Sequence, residues 1–313
     1  MGRYMVQRIL ATIPVLFIVA IITFSLIHLA PGDPAAILVG DEAQPGQVDA
    51  LREALGLNDP LYVQGGRYIK DILTGNFGKS VYNQFPVTTL ISQRLEPTIS
   101  IAIFSQVIAI TIAIPLGILA AWKANTWIDR LTMIFAVIGF AIPSFWLGYN
   151  LVYVFAIKLG WFPAIGYEHF ADGIGPWLRS ITLPSISIGI ITAALVTRMT
   201  RSSMLEVLRE DYIRTARAKG LRELIVLLRH ALKNAAIPVV TIIGLTLAAL
   251  VGGLVVTEAV FAIPGVGRLI VDSILRRDYP VIQGVMLMVT VGFLAINLMV
   301  DMLYGFLDPK IRY

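Results

Sequence analysis

No cysteine occurs in the 313 residues, which excludes disulfides, thiolate metal ligands and cysteine nucleophiles. Histidine is nearly as scarce: His28, His169 and His230 lie far apart, and no zinc-ligand spacing can be drawn through them. Charge is sparse as well, at 14% of residues, against roughly 25% in soluble domains. What fills the chain instead is apolar residues, 57% of the total. They fall in long runs and not at periods of two or 3.6, and runs of roughly 20 apolar residues are what a helix needs to cross the hydrocarbon core. A span of that length satisfies its own backbone hydrogen bonds in lipid only as a helix. The fold class is therefore an all-α membrane protein. Its net charge of +5 does not call for nucleic acid, because lysine and arginine gather on the cytoplasmic side of membrane proteins.

Six spans are predicted: Ile9–Ala30, Thr98–Ala121, Leu131–Leu159, Ser180–Thr197, Ala235–Val256 and Val281–Leu303. Pro115 lies inside the second and Pro143 inside the third, as membrane helices tolerate. The first follows Arg3 and Arg8. Its length and the poor cleavage site at His28-Leu29-Ala30 favour an uncleaved anchor over a signal peptide. Residues 31–96 form a polar insertion in which Val48, Leu51 and Leu55, closed by Gly56, suggest a short amphipathic helix. A cytoplasmic N-terminus puts the basic loop 198–234 inside, with Lys123, Arg130, Lys310 and Arg312, and both termini are then cytoplasmic. The predicted organisation is 1–30 as anchor, 31–96 as extracytoplasmic loop, 97–305 as transmembrane domain and 306–313 as cytoplasmic tail.

The most informative stretch is DYIRTARAKGL, Asp211 to Leu221. Asp211 is suited to an N-cap, Arg217 and Lys219 complement a helix C-terminus, and Gly220 suits the left-handed position that stops a helix. The expectation is a two-turn helix whose Tyr212, Ala216 and Lys219 share one face, a small knob for a groove on another protein. Positive-inside charge touching anionic lipid is the plainer explanation of the same basic residues.

Here the chain resembles the dipeptide, oligopeptide, nickel and glutathione permeases of ABC importers, and the first of their two permease subunits in particular. The superfamily loop reads Glu-Ala-Ala, three residues, Gly, nine residues, Ile-x-Leu-Pro. This chain has Arg214, Thr215, Ala216, Gly220, His230, Leu232 and Lys233 at those places, so the glutamate, isoleucine and proline are absent. The departures match the peptide-permease variant, TARAKGL followed by RHALKNA, both present. HLAPGDPA, GLNDPLY, NFGKS, PLGILAAW, IPSFWLG, RMTRSSMLEVLREDY, EAVFAIPGVGRL, RDYPVIQG and NLMVDMLYGFLDPKIRY extend the likeness in order over nearly the whole chain. The resemblance implies a type-1 importer permease fold in which the loop acts as a coupling helix. The residues implied are Asp211, Tyr212, Arg214, Thr215, Ala216, Arg217, Ala218, Lys219, Gly220, Leu221, His230 and Asn234. It also implies two ABC ATPase subunits that use ATP and Mg, a second homologous permease subunit and an extracytoplasmic solute-binding protein. No cofactor is expected on this chain and no catalytic role. The PGDPAAILVGDEA segment leans toward dipeptide or glutathione importers.

Other signals are set aside. Gly78-Lys79-Ser80 lacks the earlier glycine of a phosphate-binding loop, with Leu73 in its place, and Gly265-Val266-Gly267 is followed by Ile270 where a dinucleotide fingerprint needs glycine. Glu258 and Asp301 are acidic near span ends, which predicts interfacial solvation or pairing with an arginine, and His28 reads as structural. Two other classes stand beside the permease: a secondary transporter, which would show inverted repeats with paired broken helices, and an intramembrane enzyme, which would need a nucleophile–base pair within spans.

Overall fold

The computed structural model describes residues 2–29, 35–36, 46–54 and 56–307. The PGDP stretch, Leu55 and the tail from residue 308 lie outside them. The described residues are helical apart from turns and one isolated bridge between Lys79 and Pro86.

Five helices have the length and apolarity to cross a membrane: α1 (Gly2–Leu29), α4 (Val87–Trp122), α7 (Ile174–Val207), α9 (Leu232–Gly253, continuing a helical run from Glu223) and α12 (Tyr279–Leu307). α1, α4 and α7 begin well before the predicted spans, at Gly2, Val87 and Ile174 against Ile9, Thr98 and Ser180, whereas α9 stops at Gly253, short of Val256. α4 begins at Val87, so Arg94 and Glu96 of the predicted loop are already helical. The short amphipathic helix of the insertion is α2 (Gln47–Ala54), after which Gly56 takes φ +64°. It is followed by α3 (Leu61–Leu73).

The predicted third span is broken. α5 (Trp127–Ala141) and α6 (Ser144–Leu151, running on as a π-helical stretch to Lys158) meet at an angle of 97°. Ile142 is extended, φ −75° and ψ 125°, as a residue before proline prefers to be. Pro14, Pro97, Pro115, Pro184 and Pro238 all sit inside unbroken helices, so proline alone does not decide the break. Beyond the bend α6 packs on α7 and on α10 (Val255–Val260), where a β-carbon on Gly148 would stand 3.2 Å from Val260.

α4 and α7 form the most extensive helix pair and carry the core. One cluster joins Ile101, Ile181, Leu183, Leu254 and Ile263; a second, along the same pair, joins Ala109, Ala113, Ala193, Val196 and Val239. With no hydrophobic gain between helices in lipid, close approach through small residues holds such a pair. A β-carbon on Gly117 would come within 2.5 Å of Thr200 Cβ, so the helices touch backbone to side chain there.

The periphery is fastened by polar ties. α1 lies on α12, with Gln283 Nε2 donating to the Thr23 carbonyl (3.0 Å) and Arg8 paired with Asp301 (3.3 Å). Asp301 is thus paired with an arginine, as expected. Glu258 is neither solvated nor paired with one. It is fully buried, and its carboxylate accepts the Thr98 hydroxyl (2.7 Å) and the Arg268 backbone N–H (2.8 Å) at the start of α11 (Val266–Leu275). Asp278 does similar service on the insertion, accepting the Val81 N–H (3.2 Å) and the Ser80 hydroxyl.

Candidate coupling surface

Between α7 and α9 the basic loop folds as α8 (Asp211–Ala218). Its start differs from expectation by one residue: Glu210, extended at φ −67° and ψ 146°, is the N-cap, and no side chain bonds the free N–H groups. Asp211 is the first helical residue, where its charge still opposes the positive end of the helix dipole and pairs with Arg214 at 2.9 Å. The stop is the expected one. Gly220 takes φ +76°, the Gly220 N–H donates to the Arg217 carbonyl (2.9 Å) and the Leu221 N–H to that of Ala216 (3.4 Å). This is the Schellman arrangement that consumes the last carbonyls of a helix.

The face of α8 also differs from expectation. Ala216, read as the centre of an outward knob, is buried with Ile213 against Ala121, Met204, Val226, Leu227 and Ala231. Ile213 is the only large apolar residue in the helix. At spacing i, i+3 it and Ala216 make one inward stripe, which the sequence did carry as a signal. Asp211, Arg214, Thr215, Ala218 and Lys219 face outward.

Tyr212, at the rim, fastens the helix to the chain that follows. Its hydroxyl accepts from Asn234 Nδ2 (2.7 Å) and donates toward the His230 carbonyl (3.4 Å). The structure therefore brings His230 and Asn234 to α8, through backbone and side chain respectively. Arg217 is exposed but already paired. Both of its terminal contacts go to Glu223 (2.7 and 3.2 Å), and that carboxylate raises the guanidinium pKa above its usual value. Sequence reading missed Glu223 because a separation of six residues across a turn belongs to no helical periodicity.

The glycines of GVG have a steric role instead of a phosphate one: a β-carbon on Gly265 would meet Glu258 Oε1 at 2.0 Å. Among the described residues no group of three metal-ligating side chains converges.

Residues 113–313 match the family described as the binding-protein-dependent transport system inner membrane component, and residues 1–102 match the N-terminal region described for such membrane components. The chain belongs to this family. Full-length relatives include a probable peptide ABC transporter permease of Sinorhizobium fredii, 46% identical with 100% of both chains covered. A dipeptide transport system permease of Alkalihalophilus pseudofirmus is 44% identical and the glutathione transport system permease of Escherichia coli K12 is 46% identical, again with 100% of both chains covered. Among solved structures, an inward-facing methionine ABC transporter, MetNI, aligns with TM-score 0.59 at 19% identity, over 71% of this chain and 97% of that one, a likeness of fold. The protein is thus a multi-span permease component of a binding-protein-dependent importer, resident in the inner membrane. Nothing in these likenesses points to an ion-gradient carrier.

Proposed function

We propose that this permease imports peptides or glutathione-like solutes and that α8 is its docking element for an ABC ATPase subunit. In this proposal two such ATPases hydrolyse ATP with Mg, while this chain has no catalytic role and binds no cofactor. A second homologous permease completes the pathway, and a solute-binding protein delivers cargo from the other face. Peptide is favoured over nickel chelate because the full-length relatives named above are peptide, dipeptide and glutathione permeases. The basic loop and both termini are assigned to the cytoplasm by their lysines and arginines. Residues 31–96 are assigned to the opposite face and 97–305 to the transmembrane domain.

The observation that supports docking is the contrast between the two faces of α8. Ile213 and Ala216 anchor it in the protein's own core, and Tyr212 and Arg217 fasten its ends. The remaining face, Asp211, Arg214, Thr215, Ala218 and Lys219, is open. A rigid, two-turn, cationic surface presented this way suits a complementary groove, since pre-ordering removes an entropic cost of association.

The test reverses charge on the open face alone. Arg214→Glu with Lys219→Glu leaves the core contacts in place, so insertion and yield should match the parent. Recovery of ATPase subunits with the purified chain should fall at least tenfold. Lys123→Glu, with the same sign change away from α8, serves as control. Equal loss in the control, or full recovery with the α8 variant, would return the basic loop to a lipid-contacting role.

A further inference from the structure

One ion pair stands between the docking element and the broken helix. Asp129, in the first turn of α5, is 3% exposed and grips Arg201 of α7 at two points, Nε to Oδ1 at 2.5 Å and Nη2 to Oδ2 at 2.7 Å. The same carboxylate accepts the Asn125 backbone N–H at 3.0 Å, and Asn125 holds φ +64° to present it. Arg201 lies one turn before Met204, which packs in the cluster that anchors Ile213 and Ala216 of α8. On one side of the pair is therefore the seat of α8. On the other is α5, whose far face is open: Trp127, Leu131, Ile134 and Val137 are each more than half exposed. α5 ends at the 97° bend.

We propose that Asp129 and Arg201 are positioning residues that transmit displacement of α8 to α5, so that nucleotide-driven motion reaches the bent pair through this bridge. The inference rests on α8 being the ATPase-docking element. A planar fork held at two points fixes direction as well as distance, which a single point charge does not. α5 touches the rest of the molecule mainly along α4 and α7. A two-point bridge at its first turn is where a lateral shift of the α7 end would take hold of it.

The chain has no native cysteine, so spin labels can be placed at will. One pair, Arg209→Cys with Met299→Cys, reports the approach to α8 against α12; another, Val137→Cys with Met299→Cys, reports α5 against the same helix. Both distances are measured by electron–electron resonance on the assembled transporter, ATPases included, in nanodiscs, without nucleotide and with ATP plus vanadate. Both should change in the parent. In Asp129→Asn the first change should persist and the second should fall by at least half. Arg201→Lys should give a smaller loss, and Asp129→Arg with Arg201→Asp should restore part of the movement.

The proposal is overturned if the α5 distance responds fully in Asp129→Asn, or if parental α5 stays still while the α8 side moves. It is also overturned if both changes vanish together with the melting transition, the signature of a purely structural ion pair. Failure of parental chain to retain ATPases is a separate result, which removes the docking proposal and this one with it.

Discussion

At the scale of single residues, conformation and hydrogen-bond supply set the costs. Gly220 has open space around its missing β-carbon, so only its left-handed φ forbids a side chain. Gly220→Val should cost about 1–2 kcal/mol locally. Gly220→Asn, which tolerates that φ, should cost much less. Hydrogen exchange of 211–221 should rise in the first variant and change little in the second. Glu258 is governed by partners and not by shape. Glu258→Ala strands the Thr98 hydroxyl and the Arg268 N–H, each worth about 1–3 kcal/mol when buried and unpaired. Glu258→Gln keeps an acceptor in place. The alanine variant should show the lower melting temperature in detergent, and equal melting of the two would refute the capping role.

Elements show where sequence sufficed and where it did not. Spans were legible because lipid demands long apolar runs, and Gly220 was legible because few residues end a helix that way. The break at Ile142 was not, since five other prolines pass inside continuous helices and nothing in the sequence around Pro143 sets it apart from them. Nor was the Asp129–Arg201 bridge, whose partners stand 72 residues apart. Ala216 shows a subtler loss: small residues suit an outward knob and an inward seat equally, and Ile213 had to be weighed to choose.

A loop-scale prediction follows from His169. Its Nδ1 lies 2.9 Å from Glu96 Oε2, a contact that raises the imidazole pKa above its ordinary 6.5. Asp172 and Glu168 add to the rise. Because the folded value is the higher one, the stabilisation is complete below about pH 6.5 and is lost as pH climbs through the raised value. The Phe170 N–H, also bonded to Glu96 (2.8 Å), should hold the loop in part even then. Exchange protection of residues 166–173 should therefore decline from pH 5.5 to 8 in the parent. His169→Gln should flatten that profile, and an unchanged slope would show that another group titrates.

For the whole molecule, the placement of charge yields the decisive topological test. A reporter joined after Arg209 should score as cytoplasmic, and one near Gln47 as external. The opposite result at Arg209 would overturn orientation and docking together. ATP should bind only to preparations that retain the ATPases, so saturable binding by the isolated chain would contradict its non-catalytic assignment.

The seating of α1 bears on biosynthesis. This helix leaves the ribosome well before Gln283 and Asp301, which fasten it at Thr23 and Arg8, are made. During most of synthesis α1 must wait in the bilayer without its main neighbour, while α4 and α7 can already join. Nascent chains stopped before residue 283 should hold a compact centre beside a loose first helix, which makes them natural prey for membrane proteases. Synthesis of α12 then supplies Gln283 and Asp301 and lets α1 dock.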